Sequence, residues 1–219
     1  MLLAYHETMQ SGTVEFVIGK DRKRFSIHKA LASSFPKEVL QLPINAEVDE
    51  IVFGRCCEFV YSGDYSVPLP VSKPSGSDGG QPSNSKILPK GPLGRWNPAN
   101  HTRNTFHPTA LSCVYAHLVE QHQVPEYRDG EDVNTNPADD YSEVFLSHAQ
   151  IFCFSYRTDW SSLCALSLYR LIRLLANFTL FEERTGDIVK LLSFIFKESE
   201  IMEDIEVVCK IMFHGMWKL

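Results

Sequence analysis

The sequence from Thr13 to Leu31 reads TVEFVIGKDRKRFSIHKAL. Apolar side chains stand at every second position on both sides of a polar turn over residues 19–23; they are Val14, Phe16, Ile18, Phe25 and Ile27. Because successive side chains of a strand point to opposite faces of a sheet, this alternation predicts two strands joined by a turn. A third strand is only weakly indicated, around Leu42 to Ala46.

Beyond that point the apolar period changes from two to about 3.6. The apolar residues at helical spacing are Val48, Ile51, Val52, Phe59 and Val60, and the pattern runs up to Tyr61. Ser62-Gly63-Asp64 follows, and glycine is the residue that most often ends a helix. The pattern predicts one helix with these five residues on its buried face.

A proline-rich block interrupts the chain after this helix. Ten of the twelve prolines lie between Ser66 and Asp140, together with the run Lys73 to Gly80, which reads KPSGSDGG. Such a composition buries too little apolar surface to offset the entropy of ordering the chain. We therefore expect a flexible insertion over residues 66–140, with one helix at about 108–123.

Three helices are predicted after the insertion. The buried face of the first is expected to contain Val144, His148, Ile151 and Phe152. The second is expected to begin after Asp159 as its N-cap, with Trp160, Leu163, Cys164, Leu168, Leu171, Ile172 and Leu175 on one face. The third is expected to have Ile188, Leu191, Leu192, Ile195 and Phe196 on one face. Thr179 and Glu182 have the spacing of a capping box ahead of the third helix. The predicted domain spans residues 13–197, with a tail over 1–12 and an extension over 198–219 that has an amphipathic helical pattern.

Charge and composition narrow the functional classes. The formal charge is −6, and residues 1–65, 66–140 and 141–219 each contribute −2, from 7 basic against 9 acidic, 6 against 8 and 8 against 10 residues. Nucleic-acid binding needs a basic stripe, so direct contact with DNA or RNA is not expected. Neither a membrane span nor a secretory signal is expected, which favours an intracellular protein of the cytoplasm or nucleus.

The cysteines and histidines carry little catalytic signal. Disulfides are not expected, and of Cys56 and Cys57, adjacent on a helix, one should face the core and the other the surface. No nucleophile elbow, phosphate loop or dinucleotide fingerprint occurs in the sequence. A small metal-dependent enzyme using His107, Cys113, His117 and His122 is the less favoured alternative, because the usual close ligand pairs of zinc sites are missing.

Several motifs together resemble the BTB/POZ family, specifically its fungal members. The matching segments are Phe25 to Leu31 with its His28-Lys29 pair, Val48 to Tyr65 with Tyr61-Ser62-Gly63, His148 to Phe152, and Tyr156 to Leu163. Fungal members often carry a polar insertion after the Gly-Asp-Tyr element, where this chain has its proline-rich block. The resemblance covers about residues 13–65 and 141–197.

This resemblance implies an α+β fold in which a small sheet packs against a cluster of helices. It also implies a non-enzymatic interaction module without a cofactor, an adaptor whose partners are another BTB chain or a cullin-type ubiquitin-ligase scaffold. A transcription-associated adaptor is the alternative within the same family. The 12 residues before Thr13 are too few for the exchanged helix and strand of dimeric members, so homodimerisation stays open. The expected interface residues are Ser62, Asp64, Tyr65, Tyr156, Asp159 and Phe181, with Tyr65 and Phe181 as exposed aromatic anchors.

Overall fold

A computed structural model of the chain describes residues 5–41, 48–72 and 134–199. Its helices are α1 (Tyr5–Gln10), α2 (Lys29–Ala32), α3 (Lys37–Leu40), α4 (Glu50–Ser62), α5 (Ser142–Arg157), α6 (Ser161–Asn177) and α7 (Thr185–Ser199), with a 3₁₀ turn at Glu182–Arg184. Its strands are β1 (Thr13–Ile18), β2 (Lys23–His28), β3 (Val71–Ser72) and β4 (Asp139–Asp140). Helices combined with small antiparallel sheets make this an α+β protein.

The predicted strand-turn-strand unit is confirmed. β1 pairs with β2 antiparallel, in a register that sets Thr13 opposite His28 and Ile18 opposite Lys23. Gly19 begins the turn with φ +77°, and its carbonyl accepts a hydrogen bond of 3.1 Å from the backbone N–H of Arg22. A glycine adopts this left-handed conformation without the steric cost that a Cβ imposes.

Hydrogen-bonded caps are present at both ends of helix α4. The Asp49 carboxylate accepts hydrogen bonds from the backbone N–H groups of Ile51 and Val52, at 2.8 and 3.1 Å. Gly63 ends the helix with φ +75°, and its N–H donates to the Phe59 carbonyl.

The buried face of α4 differs from the predicted one. Ile51 is 64% exposed, whereas Val52, Phe53 and Cys56 are buried. The prediction for Ile51 was wrong because Phe53 and Cys56 set the buried face, and residue 51 lies about 200° around the helix from residue 53. Phe53, which the sequence pattern left out, is the central residue of the core here.

Aromatic rings fill the space between the hairpin and α4. The Phe53 ring lies 5.3 Å from Phe16, 5.1 Å from Phe25 and 6.2 Å from Phe35, measured between centroids. Trp160 lies 5.1 Å from Phe35, so a residue far along the chain shares this interior with the hairpin. Such pairs are worth about 0.5–1.5 kcal/mol each beyond the burial of their area.

Asp159 ends α5 and is not the N-cap of α6. It has φ +51°, and its N–H donates to the Tyr156 carbonyl, while the Trp160 N–H donates to the Ser155 carbonyl. This pair of bonds, around one left-handed residue, is a Schellman motif. The prediction of an N-cap was wrong because the chain turns one residue later, at Trp160, and α6 begins at Ser161.

The apolar stripes of α5, α6 and α7 are largely buried, as predicted. The exceptions are Ile172, Leu175 and Leu192, which are half-buried, and Phe196, which is about half exposed. The predicted capping box is absent, because Phe181 precedes the 3₁₀ turn and the backbone of Thr179 bonds to Asn134 instead.

Two short strands, β3 and β4, pair with each other near the two ends of the predicted insertion. In β3 and β4, Val71 pairs with Asp140 and Ser72 with Asp139. The helix expected at 108–123, the weak strand at 42–46 and all but the first residues of the C-terminal extension lie outside the described residues. A short helix, α1, occupies part of the expected N-terminal tail.

The chain divides into two compact units. The first comprises Met1–Val67 and Gln150–Cys164, and the second comprises Pro68–Ala149 and Ala165–Leu219. Of the helices within residues 5–41, 48–72 and 134–199, none is both long and apolar enough to cross a lipid bilayer.

Candidate protein-interaction surface

Three of the expected interface residues, Ser62, Asp64 and Tyr65, lie in the turn where α4 ends, within the first unit. The Ser62 hydroxyl is within donor range of two carbonyls, Glu58 at 2.8 Å and Asp64 at 2.7 Å, and it accepts the Asp64 N–H at 3.1 Å. The Asp64 carboxylate accepts the N–H of Tyr65 at 2.7 Å. Glu58 accepts both the N–H and the hydroxyl of Ser66 at 2.8 Å. The turn is therefore fixed by its own side chains.

Tyr61 leads into this turn and faces β2. Its phenolic oxygen lies 2.7 Å from Nδ1 of His28 and accepts the His28 backbone N–H at 3.2 Å. Either group can donate in this second contact, because a neutral imidazole nitrogen and a phenolic oxygen can each act as donor or acceptor. Two of the four segments that carry the resemblance, those around His28 and around Tyr61, therefore meet in one hydrogen-bonded pair.

Tyr156 and Asp159 lie in a second turn, the Schellman motif between α5 and α6. Tyr156 stacks on Phe152 with ring centroids 6.1 Å apart, and Asp159 is exposed. The next residue, Trp160, is buried, and its ring centroid lies 5.7 Å from that of Phe59, whose carbonyl accepts the N–H of Gly63 at the end of α4. The Trp160 indole therefore packs against the C-terminal part of α4.

The two expected aromatic anchors are interior residues. Tyr65 is 3% exposed and Phe181 is 6% exposed. A hot-spot anchor must be accessible to its partner before binding, and neither ring meets that requirement. Phe181 also belongs to the second unit, whereas the other five residues belong to the first.

Two other tyrosines have the exposure that an anchor needs. Tyr61 is 46% exposed and Tyr156 is 40% exposed, and a tyrosine side chain combines an apolar ring with a polar hydroxyl. We name Tyr61, Ser62, Asp64, Tyr156 and Asp159 the candidate surface. Sequence reasoning missed Tyr61 as an anchor; the available signal was its position one residue past the apolar face of α4.

Three of the described cysteines have raised thiol pKa values. Burial raises the pKa of the Cys57 thiol and of the Cys164 thiol to about 12 each, and burial also raises the pKa of Cys56. A thiol with so high a pKa carries almost no thiolate at neutral pH. The expectation that one of Cys56 and Cys57 faces the core is confirmed, since Cys56 is buried and Cys57 half-buried.

The metal-site alternative falls on His107, Cys113, His117 and His122, which lie outside the described residues. Within the part of the chain that the structure describes, no group of three His, Cys, Asp or Glu side chains is arranged to hold a metal ion.

Comparisons with family models, curated proteins and solved structures gave no match to this chain.

Proposed function

We propose that this chain is a non-enzymatic protein-interaction module of BTB type, which works inside the cell as an adaptor. Its partners in this proposal are another BTB chain or a cullin-type ubiquitin-ligase scaffold. The contact of His28 with Tyr61 carries the proposal, because it joins two of the four sequence segments on which the resemblance depends. The ring contact between Phe35 and Trp160 supports it further, because Phe35 also packs against Phe16 of the hairpin.

The candidate surface supplies the chemistry that such recognition requires. Affinity at protein interfaces comes mainly from a few large side chains, and Tyr is enriched among them. Tyr61 and Tyr156 are exposed, and the carboxylates of Asp64 and Asp159 accompany them. These acidic groups favour a partner that presents basic or hydrogen-bond-donating side chains.

A binding experiment with purified components tests the proposal. Sedimentation velocity reports self-association, and calorimetric titration with the N-terminal domain of a cullin reports the second partner class. We expect one of the two to be positive, and Tyr156→Arg to weaken that interaction at least tenfold, since a charged side chain would replace an aromatic contact.

Val189→Arg is the matched control, because Val189 is about half exposed on α7 in the second unit. It should leave the interaction unchanged. Circular dichroism and thermal unfolding of both variants should match the wild type. A wild-type chain that is monomeric and binds neither a cullin nor a BTB chain contradicts the proposal.

A further inference from the structure

The segment over residues 134–141, here named the strap, precedes α5 in the second unit. Of its eight residues only Asn134 is buried, and the other seven are half-buried or exposed. Segments that bury few apolar side chains open at lower free energy than the helical core around them. The attachments of the strap are accordingly polar.

One attachment is a pair of hydrogen bonds at the start of the strap. The Asn134 side chain donates to the Thr179 carbonyl at 2.7 Å and accepts the Thr179 N–H at 2.6 Å. The amide therefore pairs with the backbone between α6 and α7 as a neighbouring strand would. This contact also explains why a polar side chain is buried there.

The second attachment centres on Asp187, a buried residue in the first turn of α7. One oxygen of its carboxylate accepts the Tyr141 N–H at 3.0 Å, and the other lies 3.1 Å from the buried Ser142 hydroxyl. A buried carboxylate is tolerated only when it is bonded in this way, and the Tyr141 N–H is one of its donors.

Two cations complete this second attachment. Nη1 of Arg184 lies 3.5 Å from Asp140 and 3.8 Å from Asp187, and Nζ of Lys190 donates to the Ser142 hydroxyl at 3.2 Å. The guanidinium therefore stands between one carboxylate of the strap and one of α7. The Tyr141 ring adds an apolar contact, 5.6 Å from Phe178.

We propose that the strap is a clasp that opens as one unit, at lower free energy than unfolding of the helices, and that Asp187 controls its opening. β4 is part of the strap, so β3 would separate from it in the same event. β3 precedes residues 73–133 and β4 follows them, so the clasp determines whether these two strands stay paired.

Native-state hydrogen exchange on the full chain, read by NMR at single amides, tests this proposal. The Tyr141 and Thr179 amides report the two attachments, and the Leu168 and Leu171 amides report helix α6. In the wild type we expect Tyr141 and Thr179 to exchange with the same opening free energy, below that of α6, and with little dependence on added denaturant. Exchange of all four amides at one common free energy would overturn the proposal.

The variant Asp187→Asn tests control by the carboxylate. We expect Tyr141 and Thr179 to exchange at least tenfold faster, while the α6 amides change less than threefold. The control Ser193→Ala, whose hydroxyl bonds only within its own helix to the Val189 carbonyl, should change neither pair. Faster exchange at Tyr141 with no change at Thr179 would refute opening as one unit. If Asp187→Asn does not fold, the proposal is tested by the wild-type exchange rates at increasing denaturant and by Asn134→Ala. We expect Asn134→Ala to speed exchange of the Tyr141 and Thr179 amides at least tenfold and to change the α6 amides less than threefold.

Discussion

The phenolic oxygen of Tyr61 lies 2.7 Å from Nδ1 of His28, and it also accepts the backbone N–H of that histidine. One side chain thereby fixes the point where β2 passes into α2 against the last turn of α4. Removing the hydroxyl by Tyr61→Phe leaves the ring and deletes both bonds. We expect a loss of about 1 kcal/mol in the free energy of unfolding, measured by urea titration.

A double-mutant cycle with His28→Ala supplies the control for this pair. If the contact is as described, the two substitutions are non-additive, because both remove the contact between the Tyr61 hydroxyl and Nδ1 of His28. Additive effects would show that the two side chains do not interact in solution.

Gly19 is expected to resist substitution more than any other described glycine. A Cβ there would lie 2.5 Å from Cγ of Glu50, and φ +77° adds backbone strain. Gly63 has nearly the same φ, +75°, but a Cβ there would meet nothing within 4 Å. Gly63→Ala should therefore cost about 1–2 kcal/mol from the backbone alone, and Gly19→Ala more. Equal costs by denaturant titration would mean that Glu50 moves aside freely.

Asp159 occupies a left-handed position that favours glycine. Asp159→Gly should stabilise the protein by about 1 kcal/mol, because it relieves the Cβ contact of that conformation. Asp159→Asn, which tolerates the same conformation, should be close to neutral. The measurement is thermal unfolding, and destabilisation by the glycine variant would contradict the Schellman motif.

The Asp140 carboxylate predicts a pH dependence. Hydrogen bonds from the side chain and backbone of Ser142, with the cations of Lys190 and Arg184, lower the pKa of Asp140 against the opposing effect of partial burial. Because its pKa is lower in the folded than in the unfolded chain, the carboxylate stabilises the fold above the usual Asp value of about 3.9, and this contribution is lost as the pH falls through the folded value.

Asp140→Asn should therefore destabilise the protein at pH 7, and the difference from the wild type should shrink on acidification below about pH 4. Urea titrations at a series of pH values measure it. Glu183→Gln, at an exposed carboxylate of the 3₁₀ turn, is the control. A difference that grows towards acid pH would give the opposite sign and exclude this role for Asp140.

Thiol chemistry gives a test of burial. In a chain carrying Cys113→Ser and Cys209→Ser, we expect iodoacetamide at pH 8 to modify Cys56, Cys57 and Cys164 far more slowly in the native state than in denaturant. Their raised pKa values and limited access are the reason. Peptide mass spectrometry identifies the modified residues, and rapid native labelling of Cys57 would be inconsistent with the described packing.

Local patterns in the sequence were enough for some elements. The alternation of Phe16 and Ile18 identified β1, and Gly63 identified the end of α4, because strand period and helix capping depend on residues close together in the chain. Helix geometry, which is also local, predicted that Cys56 and Cys57 face different directions. These features required no knowledge of distant neighbours.

The tertiary structure decided which apolar residues are interior. Ile51 and Phe53 are equally apolar in the sequence, but only Phe53 faces the rings of Phe16 and Phe25. Tyr65 is likewise buried, whereas Tyr61 is exposed beside His28. Burial depends on partners distant along the chain, which a pattern of neighbours does not contain.

The polar attachments of the strap belong to the same class. Asn134 meets Thr179, and Asp187 meets Tyr141, across about 45 residues of sequence. Nothing in the spacing of these residues pairs them, since an amide and a carboxylate bond equally well to water or to any nearby backbone. Each contact is made specific only by the tertiary structure, which brings Thr179 beside Asn134 and Asp187 beside Tyr141.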